Sequence, residues 1–332
     1  MKRSLPVAMA VAVCVALISV PGVGAQASLN VAFLPKQVNN PYFDVAANGA
    51  MQAAKELNGQ FKQVGPSEAT GAAQVPFIQD LTTQKVSAIV VSAADPDAIA
   101  PSLRAARQAS IKVVGYDSSP AEGAYDVFVN QADTQGIGQS LVQMACDEAP
   151  NCTGDIAVLS ATSTATNQNA WIDVMKQTLQ QPQYSGLNLV DVVYGNDDDQ
   201  TSQQQAQGLL QAHAGLQVIV SPTTVGIAAA AKVLEDTGSA GTVQLTGLGT
   251  PNSLRAYVKD GTIKEFALWN VQSLGYLAYY VAAKLVSGDI TGAPGESFSV
   301  PTLGNYTIGD KSVVVLGPPQ VFNADNIDQF NF

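Results

Sequence analysis

Residues 29–57 read LNVAFLPKQVNNPYFDVAANGAMQAAKEL, and this stretch decides the fold. The run LNVAFL is apolar without alternation, as in a strand buried on both faces. From Asp44 onward Ala46, Ala50, Met51, Ala54 and Leu57 recur three and four apart, the spacing of a helix with one apolar face. A strand-to-helix corner closes with a few residues, yet this one holds Lys36, Asn40, Tyr42 and Phe43. Polar and aromatic side chains gathered at the carboxyl end of a buried strand are the mark of a binding corner in an open α/β sheet.

The same rhythm continues along the chain. FKQVG, AIVVSA, KVVGYDS, YDVFVNQ, DIAVLSA, LVDVVYG, LQVIVSP, VQLTGLG and EFALWN read as further strands. Helical patterns separate most of them, for example Leu274, Leu277, Ala278, Val281, Ala282 and Leu285. Strand–helix alternation predicts α/β architecture with parallel sheets covered on both faces, and this many units need more than one sheet. Strand ends supply Lys36, Ser92, Asp117, Pro222 and Asn270, which points to one cleft collecting them. SGDITGAPGESFS (287–299) reads as a surface loop.

The amino terminus carries Lys2 and Arg3, then LPVAMAVAVCVALISV and GVGAQA, the pattern of a secretory signal peptide with cleavage after Ala27. The apolar run is short for a retained span of roughly 20 residues. Cys14 follows the branched Val13 inside the apolar core, which argues against a lipoprotein site. With Lys2 and Arg3 of the 16 basic residues in the leader, 14 remain against 27 Asp and Glu. Such a chain repels nucleic acid, anionic lipid and anionic substrates, leaving neutral or cationic ligands. Outside the leader, Cys146 and Cys152 remain, close in sequence and destined for an oxidising compartment, so a disulfide at a helix end is expected.

Catalytic patterns are sparse. The only histidine, His213 in LLQAHAGL, reads as a helix-surface residue rather than a general base. GIGQSL lacks the third glycine of a dinucleotide loop and follows no strand directly, so it reads as helix packing. NDDDQTS lacks the glycine and closing glutamate of a calcium loop and reads as an acidic helix cap. Asp117 has no obvious second carboxylate as partner for glycoside hydrolysis, which leaves an exported sugar-acting enzyme as the less favoured alternative. No metal, cofactor or catalytic set is expected, and the chain is read as a binding protein.

The segments FLPKQVNNPYF, VSAADPDA, YDSS, VNQ, NQNAW, TPNSLRAYVKDGTIKEFALWNV and VFNADNIDQFNF, spread over the chain beyond the leader, together resemble the periplasmic type I sugar-binding proteins of ABC transporters. The likeness is greatest to the branch of rhamnose-binding and autoinducer-2-binding proteins. It implies two doubly wound parallel-sheet lobes joined by a three-crossing hinge, with a sugar bound between them. Lobe one is expected over 28–131 with 271–308, and lobe two over 132–270 with 309–332. The resemblance also implies a periplasmic protein that works as a monomer and delivers its ligand to a membrane permease. The family's binding positions fall on Lys36, Asp117, Gln168 and Pro222. Where the autoinducer-2 pattern has aspartate and alanine, this chain has Asn167 and Thr224, which favours a neutral sugar, rhamnose first. The residues support the same class. Asp117 offers a pair of acceptors, while Lys36, Asn40, Asn167, Gln168 and Asn270 offer donors to hydroxyls. Tyr42, Phe43, Trp171 and Trp269 offer plates for a sugar's C–H face.

Overall fold

In the structure, a computed structural model, Met1 and residues 29–332 are described. The expected leader beyond Met1, with its cleavage point and Cys14, lies outside the described residues. The opening stretch forms β1 (Asn30–Leu34) and α1 (Pro41–Glu56). Asn40 caps α1: its backbone is extended and its Oδ1 accepts from the Tyr42 amide at 3.1 Å, with Pro41 in the first helical position where a missing N–H does no harm. Ala46, Ala50 and Ala54 form the buried face. Met51 and Leu57, read as part of that face, are instead 46% and 37% exposed: Leu57 is the C-cap beyond the last helical residue, and Ala53 is buried where Met51 is not.

The next units are β2 (Gln60–Gln63), α2 (Gly71–Thr83), β3 (Ala88–Val91), α3 (Pro96–Gln108), β4 (Lys112–Tyr116) and β5 (Val127–Asn130). After β5 come α4 (Thr134–Glu148), β6 (Gly154–Ser160), α5 (Thr166–Thr178), β7 (Leu187–Tyr194), α6 (Asp199–Ala212), β8 (Leu216–Ser221), α7 (Thr224–Asp236), β9 (Gln244–Gly247), α8 (Pro251–Lys259), β10 (Glu265–Leu268) and α9 (Val271–Ser287). The tail adds β11 (Ser297–Val300), β12 (Gly304–Thr307), β13 (Val313–Val315) and β14 (Gln320–Asn323).

Two parallel sheets result. The first has order β13-β5-β4-β3-β1-β2 and the second β7-β6-β8-β9. Within β1, Val31 and Phe33 join the core shared with α1 and α9, whereas Ala32 and Leu34 join the core of α2 and α3. Both faces of the strand are therefore buried, which is why its sequence is apolar throughout. In the second sheet α4 packs on α5 and α6 on α7. Helices α1 and α9 approach closely through glycines: a Cβ on Gly49 would lie 1.8 Å from the Gln272 carbonyl oxygen, and one on Gly275 1.8 Å from that of Ala46. GIGQSL lies inside α4, where a Cβ on Gly138 would lie 2.5 Å from the Val174 Cβ, so that glycine serves helix packing.

The tail corrects the expected division. β13 pairs with β5 of the first sheet, while β14 pairs antiparallel with β10, whose Ala267 bridges to Leu248 just after β9. The return passage therefore falls after Val315, not at 308–309: the apolar run Val313–Val315 satisfies its backbone on the free edge of β5. The surface loop also ends earlier than expected, because Ser297–Val300 pairs with Gly304–Thr307 as a hairpin. Cys146 in α4 and Cys152 just beyond it form a disulfide with Cα atoms 4.3 Å apart. Among the described residues no helix is long and apolar enough to cross a membrane.

Candidate functional site

Strand ends from the two sheets face one another. The segment after β1 brings in Lys36, which is 1% exposed despite its charge. Its Nζ donates to Asn167 Oδ1 at 3.2 Å and Gln168 Oε1 at 3.3 Å, and lies 3.7 Å from Asp117 Oδ2. Both amides belong to the first turn of α5, so this one ammonium ties the first sheet to the second. Asp117 follows β4 with a left-handed backbone (φ 60°), a conformation that aspartate tolerates better than most residues. Its Oδ2 accepts from Ser92 Oγ at 2.7 Å and its Oδ1 from Asn167 Nδ2 at 3.1 Å. A buried ion pair with every member hydrogen-bonded avoids the cost of unpaired buried charge.

Aromatic side chains make another wall. Trp171 and Trp269 are both buried, with ring centres 5.8 Å apart. Tyr42 stands edge-on to Trp269 at 6.2 Å and to Phe43 at 5.2 Å, and its hydroxyl accepts from Trp269 Nε1 at 3.0 Å. Burial, reinforced by the Asp117 carboxylate, pushes the Tyr42 hydroxyl well above its ordinary pKa. The phenol is thus a neutral hydrogen-bonding group at physiological pH.

Lys36, Asn40, Tyr42, Phe43, Asp117, Gln168, Trp171, Pro222, Thr224 and Trp269 all line one cavity of about 30 Å³. Across it Lys36 on one side is hydrogen-bonded to Asn167 and Gln168 on the other, so a ligand enters only with the two sides further apart. Three expected residues stand elsewhere. Ser92 lies behind Asp117 and holds it; Asn167 joins Asp117 to Lys36 rather than capping α5, whose cap is Ala165. Asn270 is exposed and caps α9, its Oδ1 accepting from the Ser273 amide at 2.8 Å. Asn40 is likewise a helix cap but lines the cavity, so capping alone does not separate the two; burial does, Asn40 being buried and Asn270 exposed.

Four wall residues carried no expectation: Asp197, Thr223, Leu248 and Leu268. The acidic run NDDDQTS does cap α6, but through Asp198, whose Oδ1 accepts from the Thr201 amide at 2.7 Å. Its neighbour Asp197 turns inward on a left-handed backbone (φ 51°), is 6% exposed and accepts from Thr223 Oγ1. Burial raises its pKa above the ordinary value, against the opposing pull of the Lys36 charge. Gln37 Nε2 donates to the Asp197 carbonyl at 2.8 Å, and Thr164 Oγ1 to that of Ala94 at 2.8 Å, so further bonds join the two sides. His213 ends α6 with Nε2 3.4 Å from Asp191 Oδ2, away from the cavity.

A periplasmic binding protein domain matches residues 31–290. A sugar ABC transporter protein from Actinomyces odontolyticus is 47% identical, with 91% of this chain and 97% of that chain covered and a TM-score of 0.73. An ABC transporter solute-binding protein from Clostridium phytofermentas with bound L-rhamnose is 40% identical, with 91% and 98% covered and a TM-score of 0.88. LsrB from Clostridium saccharobutylicum in complex with AI-2 is 25% identical, with 91% and 99% covered and a TM-score of 0.86.

Proposed function

The chain belongs to the periplasmic binding protein domain family, and we propose that it is the exported solute-binding protein of an ABC importer, holding a monosaccharide, L-rhamnose first, between its two sheets. The observation that carries this reading is the pairing, in one cavity, of the Lys36–Asp117–Gln168 polar set with the Trp171 and Trp269 rings. Sugar hydroxyls exchange hydrogen bonds with the first, and the C–H face packs on the second. Leu248 and Leu268 add apolar wall suited to the methyl group of a deoxysugar. The 40% identical relative with bound L-rhamnose supports the choice of sugar.

In this reading the leader directs the chain out of the cytoplasm, and the protein acts as a monomer. Its lobes are 29–131 with 271–315, and 132–270 with the remaining tail. They close on the ligand by a hinge motion, since a ligand touching both favours the state in which both are reached. The closed form presents the sugar to a membrane permease, and purified protein leaves the sugar chemically unchanged. Autoinducer-2 is the second reading, supported by the likeness to LsrB and opposed by Asn167 and Thr224 at the two positions where the pattern differs.

A thermal-shift panel of monosaccharides with autoinducer-2 tests the proposal. A ligand at 100 times its Kd stabilises the native state by about 2.7 kcal/mol. L-rhamnose is expected to give the largest upward shift; a shift by autoinducer-2 alone reverses the order of the two readings.

A further inference from the structure

A groove of about 980 Å³ adjoins the inner cavity, and Asp197 and Thr224 line both. One side of the groove comes from the segment after β1 and the start of α2. The other comes from residues 162–164, which follow β6, and from residues 196–199, which precede and open α6. Serine, threonine, asparagine and small apolar residues dominate its lining, which includes several carboxylates and no lysine, arginine or histidine.

Two of those carboxylates already have local work, since Asp95 and Asp198 cap α3 and α6. Another is left incomplete. Asp197, 6% exposed and lining both spaces, engages Thr223 through Oδ1, while its Oδ2 has no hydrogen-bond partner among the described residues. A nearly buried carboxylate oxygen without a partner is unfavourable, and it marks a place where a ligand or water completes the bonding.

We infer that this groove is an outer subsite of the cleft, taking the uncharged, hydroxylated remainder of a glycoside or disaccharide whose terminal sugar occupies the inner cavity. The free oxygen of Asp197 accepts a hydrogen bond from a hydroxyl at the junction, and the projecting unit lies along the groove wall formed by the start of α2 and α3. An anionic extension is disfavoured, because no cation on the groove wall answers it. This rests on the proposed monosaccharide site, without which there is no terminal sugar to hold.

Calorimetric titration of the protein with L-rhamnose and with a rhamnosyl-rhamnose disaccharide tests it, in wild type, Ala98→Trp and Ala72→Trp. Ala72 and Ala98 are exposed residues of the groove wall, so tryptophan at either fills space without entering the core. The disaccharide is expected to bind within about tenfold of L-rhamnose, or tighter. Each variant is expected to weaken the disaccharide about fivefold or more while leaving L-rhamnose within about twofold, with melting curves confirming the fold. If L-rhamnose binds and the disaccharide is excluded, or both variants weaken the two ligands equally, the outer subsite is wrong and the inner site stands. If neither ligand binds, both fall.

Discussion

Asn167 and Asp117 meet between the two sheets, the amide Nδ2 donating to the carboxylate Oδ1 over 3.1 Å, while the amide oxygen accepts from Lys36 at 3.2 Å. Asparagine suits this place because it gives to one neighbour and receives from the other; aspartate only receives. Asn167→Asp therefore sets two carboxylates against each other in a buried site. At pH 7 the variant is expected to bind L-rhamnose with about 1–3 kcal/mol less free energy, roughly five- to a hundredfold in Kd. Autoinducer-2 binding, whose pattern has aspartate here, is expected to improve or first appear. Unchanged L-rhamnose affinity in a calorimeter removes Asn167 from the account.

Asp197 gives a pH signature. Its folded-state pKa is raised by burial above the ordinary 3.8, so the folded protein holds that proton more tightly than the unfolded chain. Its contribution to stability is therefore greatest at low pH and is lost as pH rises from 3.8 through the folded value. Asp197→Asn is expected to melt higher than wild type at pH 7, with the difference shrinking on acidification toward pH 4. A difference that does not vary with pH contradicts this assignment.

The Cys146–Cys152 disulfide closes a short loop, at a sequence separation of 6. The chain-entropy model gives about 2 kcal/mol for a loop of this size. Urea denaturation of the Cys146→Ser, Cys152→Ser double variant is expected to show that loss. Intact-mass analysis of exported protein, alkylated without reduction, is expected to show both cysteines unmodified; two alkylated cysteines contradict the bond.

Closure should be visible in solution. Hydrogen bonds from Lys36, Gln37 and Thr164 join the two sides across the cleft, so entry requires the lobes to separate. Small-angle scattering is expected to give a larger radius of gyration without L-rhamnose than at saturation. An identical radius in both conditions contradicts the hinge.

The ten strands named from sequence all occur, since both-face burial writes itself as unbroken apolar runs such as Ala88–Val91. The tail strands were illegible because Ser297–Val300 and Gly304–Thr307 are short hairpin partners with exposed positions, and Val313–Val315 owes its state to the distant β5. Lys36, Asp117 and Gln168 were legible as polar groups near strand ends or through family likeness. Asp197 was not, because the adjacent cap formed by Asp198 was a sufficient local reason for the acidic run. Its inward turn depends on Thr223, 26 residues further on. Asn270 and Asn40 both cap helices after strands and look alike in sequence, but only Asn40 is buried in the cavity wall, a difference set by the surrounding packing.

The central claim, that Asp117 anchors a sugar between the sheets, is tested most directly by titrating L-rhamnose into wild type and Asp117→Ala. Lys36 keeps the Asn167 and Gln168 oxygens as partners in the variant, so the fold is expected to survive, as a melting curve will show. Removing one member of a buried hydrogen-bonded charge set costs about 2–5 kcal/mol of binding, thirtyfold or more in Kd at about 2 kcal/mol. The account predicts a Kd raised at least about thirtyfold in a folded variant. A folded variant that binds L-rhamnose with wild-type affinity contradicts it.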